Sequence, residues 1–204
     1  MTKKESIHNT NWNNKISSKK TGKISESNNS LLLVLPKIKS ALDVGCGTGE
    51  LMRFLKKKGV KVLGTDISSS ALKVAKQNGL NVKLADLDEK LPFKSNSFDA
   101  CISNQVLMHV FDPEFVILEM KRVSKKYVVI NVPNHMYWRF RISFILGKLP
   151  NVLEGKFSHI RLFSYSKIKT LIEKNNLKII DEAYTGKSFL PQLFATGFTF
   201  VCKK

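Results

Sequence analysis

The chain has 204 residues, with 34 Lys and Arg against 16 Asp and Glu, a formal net charge of +18 and 43% apolar residues. At roughly 150 residues per domain this length fits one folded domain with modest appendages, and the apolar share excludes a globally disordered chain despite the charge. Three cysteines without C-x-x-C spacing, Cys46, Cys101 and Cys202, argue against a disulfide framework and a zinc site, and no run approaches the roughly 18 apolar residues of a membrane span, so a soluble, cytoplasmic protein without a metal site is expected.

Residues 1–30, rich in Lys, Asn, Ser and Thr, lack the apolar side chains that offset ordering and predict a flexible basic arm before a domain over 31–204. The domain then alternates short β-like runs with helical patterns. Strands are predicted over 41–44, 60–66, 82–85, 98–103 and 127–132, with helices over 50–58 and 69–78, each stopped by a glycine, Gly59 or Gly79. Asp112, Pro113 and Glu114 read as N-cap, first helical residue and first-turn acid of a further helix. The strand over 127–132 is continuously apolar, as expected of a parallel strand covered on both faces. Residues 134–163 break the pattern and predict an insertion acting as a lid. A helix over 164–175 and strands over 177–183 and 198–202 complete an α/β fold, a doubly wound, mostly parallel, seven-stranded sheet.

The turn after the first strand, residues 43–49 (DVGCGTG), lies where open α/β sheets place their ligands. Its spacing is G-x-G-x-G, and Glu50 stands where a dinucleotide fingerprint needs a third small residue. Asp43 would repel a phosphate and suit a cationic group, while Asp66, 21 positions after Gly45 at the tip of the second strand, is placed to accept the hydroxyls of a ribose. Together these describe a nucleoside ligand with positive charge and no phosphates. Asp99 reads as a cap or partner at the start of the fourth strand, Asp88 and Glu89 as solvated, and Cys46 as a small apolar loop residue.

With residues 42–49 (LDVGCGTG), 64–68 (GTDIS), 85–93 (ADLDEKLPF) and 97–99 (SFD) in that order, the chain resembles the class I S-adenosylmethionine-dependent methyltransferases of the type 11 group, over roughly 35–182. The resemblance implies the Rossmann-like methyltransferase fold and S-adenosylmethionine as cofactor. It implies that Gly45, Cys46, Gly47 and Gly49 wrap the methionine moiety with Asp43 behind them near the amino end. Asp66, next to Ile67, would hold the ribose, Asp86 and Leu87 would flank the adenine, and Asn104, Gln105 and Val106 would close the site beside the methyl group.

Residues 112–113 (DP), 119–123 (EMKRV), 132–134 (VPN), 138–141 (WRFR), 147–150 (GKLP) and His159 are similar to the MetW branch, with EGKFS at 154–158 where that branch has a tryptophan-tyrosine stretch. This similarity implies, as an alternative to a methyltransferase for a small-molecule or lipid-like acceptor, a non-catalytic cofactor-binding partner of a biosynthetic enzyme in methionine synthesis.

Methyl transfer needs alignment and exclusion of water more than a covalent residue, although an oxygen or nitrogen acceptor can need a base. Of the four histidines, His8 lies in the arm, and His109, which follows the fourth strand, is the candidate catalytic base; His135 and His159 are candidates for the substrate side. Arg161 could hold an anionic substrate group, and a helix start capped by Ser164 accounts for much of the same segment. The aromatic and basic stretch 137–146 reads as a buried lid, a contact with anionic lipid headgroups through Arg139, Arg141 and Lys148, or a protein contact. No nucleic-acid-binding module is recognisable, so nucleic acid is disfavoured as a partner.

Overall fold

In the computed structural model, residues 6, 9, 25–150, 153, 159–187 and 189–204 are described. Most of the arm, including His8, and residues 154–158 of the insertion lie outside them.

The elements in chain order are α1 (Glu26–Val34), β1 (Ser40–Val44), α2 (Glu50–Lys57), β2 (Lys61–Asp66), α3 (Ser69–Gln77), β3 (Val82–Leu84), β4 (Phe98–Asn104), a 3-10 turn (Leu107–His109), α4 (Pro113–Val123), β5 (Ser124–Pro133), α5 (Trp138–Ile145), α6 (Tyr165–Lys174), β6 (Lys178–Gly186), α7 (Pro191–Phe194) and β7 (Ala195–Lys203). The strands form a single seven-stranded sheet in the order β3-β2-β1-β4-β5-β7-β6. Neighbours run parallel except that β7 is antiparallel to both β5 and β6. The order reverses between β1 and β4, so the loops leaving these two strands face each other at one edge of the sheet.

The central strands are mostly apolar because both faces are covered. Leu42, Val44, Cys101, Val128 and Ile130 point to one side, where they meet Val116, Ile117 and Met120 of α4 and Ile168 and Ile172 of α6. Ala41, Ala100, Ile102 and Val129 alternate to the other side, against Leu31 of α1 and Leu51 and Leu55 of α2. The helix starts follow the local chemistry. Asp112 accepts from the Phe115 amide at 3.0 Å, with Pro113 in the first turn, and Ser164 accepts from the Lys167 amide at 3.2 Å.

Helix α1 runs across residues 30 and 31, the expected junction of arm and domain, with Asn28, Ser30 and Leu31 buried. The polar residues of α1 are satisfied by distant partners: Ser30 Oγ lies 3.0 Å from Thr185 Oγ1 and 3.3 Å from Thr199 Oγ1. Low apolar content therefore did not mean exposure. The insertion follows β5 as expected, but its aromatic stretch forms α5, in which no side chain is buried; Ile145 is 83% exposed. Asn134, His135 and Phe163, at the two ends of the insertion, are buried.

Candidate cofactor site

The turn between β1 and α2 is built on glycine conformations. Gly45, Gly47 and Gly49 all adopt left-handed backbone, with φ of 75°, 53° and 79°. The Gly45 and Cys46 amides both donate to the Thr65 carbonyl, at 2.7 and 2.8 Å, which holds the loop against the end of β2. A Cβ on Gly45 would fall 2.5 Å from Val106 Cγ2, so the loops after β1 and β4 touch directly.

Asp66 is buried at the tip of β2, and its carboxylate accepts from the Gly47 amide and the Ser68 amide, each at 2.8 Å. It therefore joins the glycine loop to the start of α3. Asn9, one of the few described residues of the arm, reaches this edge as well, where its Oδ1 accepts from Ser68 Oγ at 2.8 Å and the Ser70 amide at 3.1 Å. Ile67 is half-buried beside them.

Asp43 lies behind the loop, 2% exposed, and its Oδ2 is a buried atom without a hydrogen-bond partner. Burial above all, with the Asp66 carboxylate adding to it, pushes the Asp43 carboxyl up to about 7. On β4, Asn104 donates from Nδ2 to Asn28 Oδ1 at 2.5 Å, while its own Oδ1 is a second buried acceptor without a partner. With the Thr65 and Ser103 hydroxyls, which are also buried without a partner, these two acceptors at the carboxyl ends of β1, β2 and β4 suit a ligand that brings donors and positive charge. Gln105, by contrast, turns its Nε2 to Asn131 Oδ1, and Asn131 donates in turn to Thr199 Oγ1 at 2.6 Å. Its amide nitrogen thus belongs to the buried polar network of the sheet.

The segment after β3 is fastened by hydrogen bonds to α4 and to the loop before it. Asp86 accepts from the Asp88 amide at 3.0 Å, and Leu87 is buried. Asp88, partly exposed, accepts from the Phe111 amide at 2.9 Å and joins this loop to the segment before α4. Glu119 accepts from the Leu91 amide at 2.8 Å and pairs with Arg122 through two 2.7 Å bonds, and Arg122 also donates to the Phe93 and Leu91 carbonyls, at 2.7 and 3.0 Å. This bidentate clamp holds Glu119 ionised: the Arg122 hydrogen bond is the largest influence on a carboxyl shifted below its ordinary value. Asp99 behaves as read, with Oδ2 accepting from the Lys39 and Ser40 amides. Burial, then Asp43 and Asp66, raise the Cys46 thiol well above its usual range, so it is a packing residue and not a nucleophile.

The histidines following β4 and β5 come together with the one in the insertion. His135 Nε2 lies 2.7 Å from His159 Nδ1, and the His159 ring meets the His109 ring edge-on, with centroids 5.1 Å apart. The return of the insertion is fastened there by the Ile160 and Arg161 amides, which donate to the Met108 carbonyl at 3.0 and 3.1 Å. Arg161 itself donates from Nη2 to the Phe111 carbonyl, so that guanidinium nitrogen ties loop to loop. Asn28 and Asn131 were missed in the sequence because their partners lie far along the chain; a polar residue inside a continuously apolar strand, as Asn131 is, was the available signal.

The family described as Methionine biosynthesis protein MetW matches residues 27–194. The Ubiquinone biosynthesis O-methyltransferase of Bartonella bacilliformis is 30% identical over 153 residues, 69% of this chain and 60% of the relative. This chain thus spans about 60% of that relative's length. Among solved structures, magnesium protoporphyrin IX methyltransferase from Synechocystis, with bound SAH, superposes with a TM-score of 0.74 at 17% identity over 98% of this chain and 97% of the other. A SAM-dependent methyltransferase from Thermotoga maritima gives 0.70 at 21% identity over 88% of both chains. The fold is that of these methyltransferases, and the family match, which takes in the glycine turn, Asp66, the clamp and all three clustered histidines, places the chain in the MetW family.

Proposed function

We propose that this protein is an S-adenosylmethionine-dependent methyltransferase acting on a small-molecule or lipid-like acceptor. The observation that carries this reading is the buried Asp43 carboxylate with an unmet oxygen behind a three-glycine turn, a setting that repels phosphate and favours a cationic amino acid moiety. When bound, the cofactor supplies an electrophilic methyl group on a sulfonium centre. Asp43 holds the ammonium end, with Gly45, Cys46, Gly47 and Gly49 keeping the loop backbone close to the ligand. A carboxylate oxygen has room to accept a second hydrogen bond, so the bonds to Gly47 and Ser68 are compatible with two ribose hydroxyls. Ile67 lines the same edge, Asp86 and Leu87 flank the base, and Asn104 offers its unmet Oδ1 beside the reacting centre. His109 stands at the acceptor end as the candidate base, with His135 and His159 beside it.

The names of the relatives support an oxygen acceptor: besides the ubiquinone-pathway enzymes, a Malonyl-[acyl-carrier protein] O-methyltransferase of Hamiltonella defensa is 38% identical over 91 residues. The family description favours a second reading, a cofactor-binding partner of a biosynthetic enzyme. The exposed Ile145 and Leu146 of the insertion, flanked by Arg139, Arg141 and Lys148, supply a surface for such a partner or for a membrane. Incubating the protein with S-adenosylmethionine and a metabolite extract separates these readings. Formation of S-adenosylhomocysteine that depends on the extract is expected. Asp66→Ala should weaken cofactor binding by about 1–3 kcal/mol through lost charge-assisted hydrogen bonds. Cofactor binding without any turnover, together with copurification of another enzyme, would favour the partner role.

A further inference from the structure

The proton positions in the histidine cluster are set by the backbone. The Phe163 N–H donates to His135 Nδ1 at 2.9 Å, and because an amide cannot act as an acceptor, Nδ1 carries a lone pair and the neutral ring holds its proton on Nε2. That proton faces His159 Nδ1 across 2.7 Å, so Nδ1 of His159 accepts and its own proton sits on Nε2. The reciprocal bond from the His135 amide to the Phe163 carbonyl, at 2.9 Å, fixes this geometry from both sides.

Protonating His159 at Nδ1 would set N–H against N–H at that same 2.7 Å, so the intact pair resists a proton. Burial acts in the same direction: it lowers both imidazoles, His135 to about 4, with His159 and Lys167 adding to it and the Phe163 backbone opposing it. Among the described residues, His109 on the 3-10 turn meets the His159 ring and Lys167 on α6 acts on His135; both are basic and neither favours a second proton.

We propose that His135 and His159 form a hydrogen-bond chain of fixed direction, ending in the His159 Nε2–H, which selects methyl acceptors that present an unprotonated oxygen, a carboxylate or a carbonyl. The inference rests on the methyltransferase reading for the word acceptor only. His135 is 2% exposed and acts through its neighbour as a positioning residue, while the partly exposed His159 makes the contact. The cluster follows the carboxyl ends of β4 and β5, the edge that also carries the glycine turn. The cationic surroundings and the chain's charge of +18 favour an anion there.

Long-range proton–nitrogen correlation spectra of the full chain labelled at histidine test this directly. Both rings should be pure Nε2–H tautomers that do not titrate where a free imidazole does, near pH 6.5. Benzoate should shift the His159 Nε2 signal saturably. His135→Ala should let His159 titrate and mix tautomers, and should weaken benzoate at least tenfold, about 1.4 kcal/mol. His159→Gln, which keeps an N–H near the Nε2 position, should retain most of the binding that His159→Leu loses. A proton on His159 Nδ1, or ordinary titration of His159 in the unaltered protein, would overturn the directed chain. An unshifted Nε2 signal with benzoate would overturn the ligand class. Failure of the methyltransferase reading shows separately, as no S-adenosylhomocysteine formed from S-adenosylmethionine in a metabolite extract, and leaves the tautomers unchanged.

Discussion

Asp43→Asn is expected to weaken S-adenosylmethionine binding at least tenfold at pH 8 while making the free protein more stable. The two effects have one cause. Asp43 is buried, one of its oxygens has no partner, and its carboxyl is raised from 3.8 to about 7. At about 1.36 kcal/mol per pH unit, keeping this group ionised costs the free fold up to about 4 kcal/mol. The sign follows from the direction of the shift. The folded state holds the proton more tightly than the unfolded chain, so this residue's contribution to stability falls as pH rises from about 4 to about 7 and levels off above. Asparagine removes that loss and also removes the charge that meets the ligand's ammonium group. In the unaltered protein a cationic ligand should lower the Asp43 carboxyl and release a proton near neutral pH. Titrations in buffers of different ionisation heats read that release, and affinity should rise with pH up to about 8. An Asn variant that binds as tightly as the parent would remove Asp43 from the site.

Arg122→Met should destabilise the fold by about 2–4 kcal/mol, lowering Tm by roughly 5–15 °C for a chain of this size. The guanidinium makes two bonds to Glu119 and one each to the Phe93 and Leu91 carbonyls, with its side chain 23% and that of Glu119 10% exposed. Its loss leaves a nearly buried carboxylate without its counter-charge and two carbonyls without that donor. The segment so released carries Asp86 and Leu87, so cofactor affinity should fall as well. Thermal denaturation of Arg122→Met beside the double variant Glu119→Leu/Arg122→Met checks the account: removing both charges should recover much of the loss, because the unpaired buried charge is the main cost. Equal destabilisation in the two variants would place the effect in side-chain packing instead.

How much of this was legible in the sequence depended on the range of the interactions. The glycine turn, the position of Asp66 and the caps at Asp112 and Ser164 depend on residues a few positions apart, and each stands where its local chemistry put it. The continuous apolar runs gave the central strands correctly because their two faces pack alternately against different helices. Helix α1 carried little local signal because its polar side chains meet distant ones, Ser30 with Thr185 and Thr199 and Asn28 with Asn104, none of them close in sequence. The link from Asp88 to the Phe111 amide had no local signal, the two lying 23 residues apart. His135 and His159 were picked singly as substrate-side residues, but their pairing and its direction depend on the Phe163 amide, which no pattern of side chains reveals. In the insertion, aromatic content suggested burial, whereas α5 leaves its side chains outside the core.

The most direct test of the central claim is calorimetric titration of the full chain with S-adenosylmethionine, S-adenosylhomocysteine and NAD in parallel. Asp43 behind the glycine turn, and Glu50 where a dinucleotide fingerprint needs a small residue, predict micromolar binding of the first two and none of NAD. Binding of NAD alone, or no binding of any of the three by protein shown to be folded, would contradict the account.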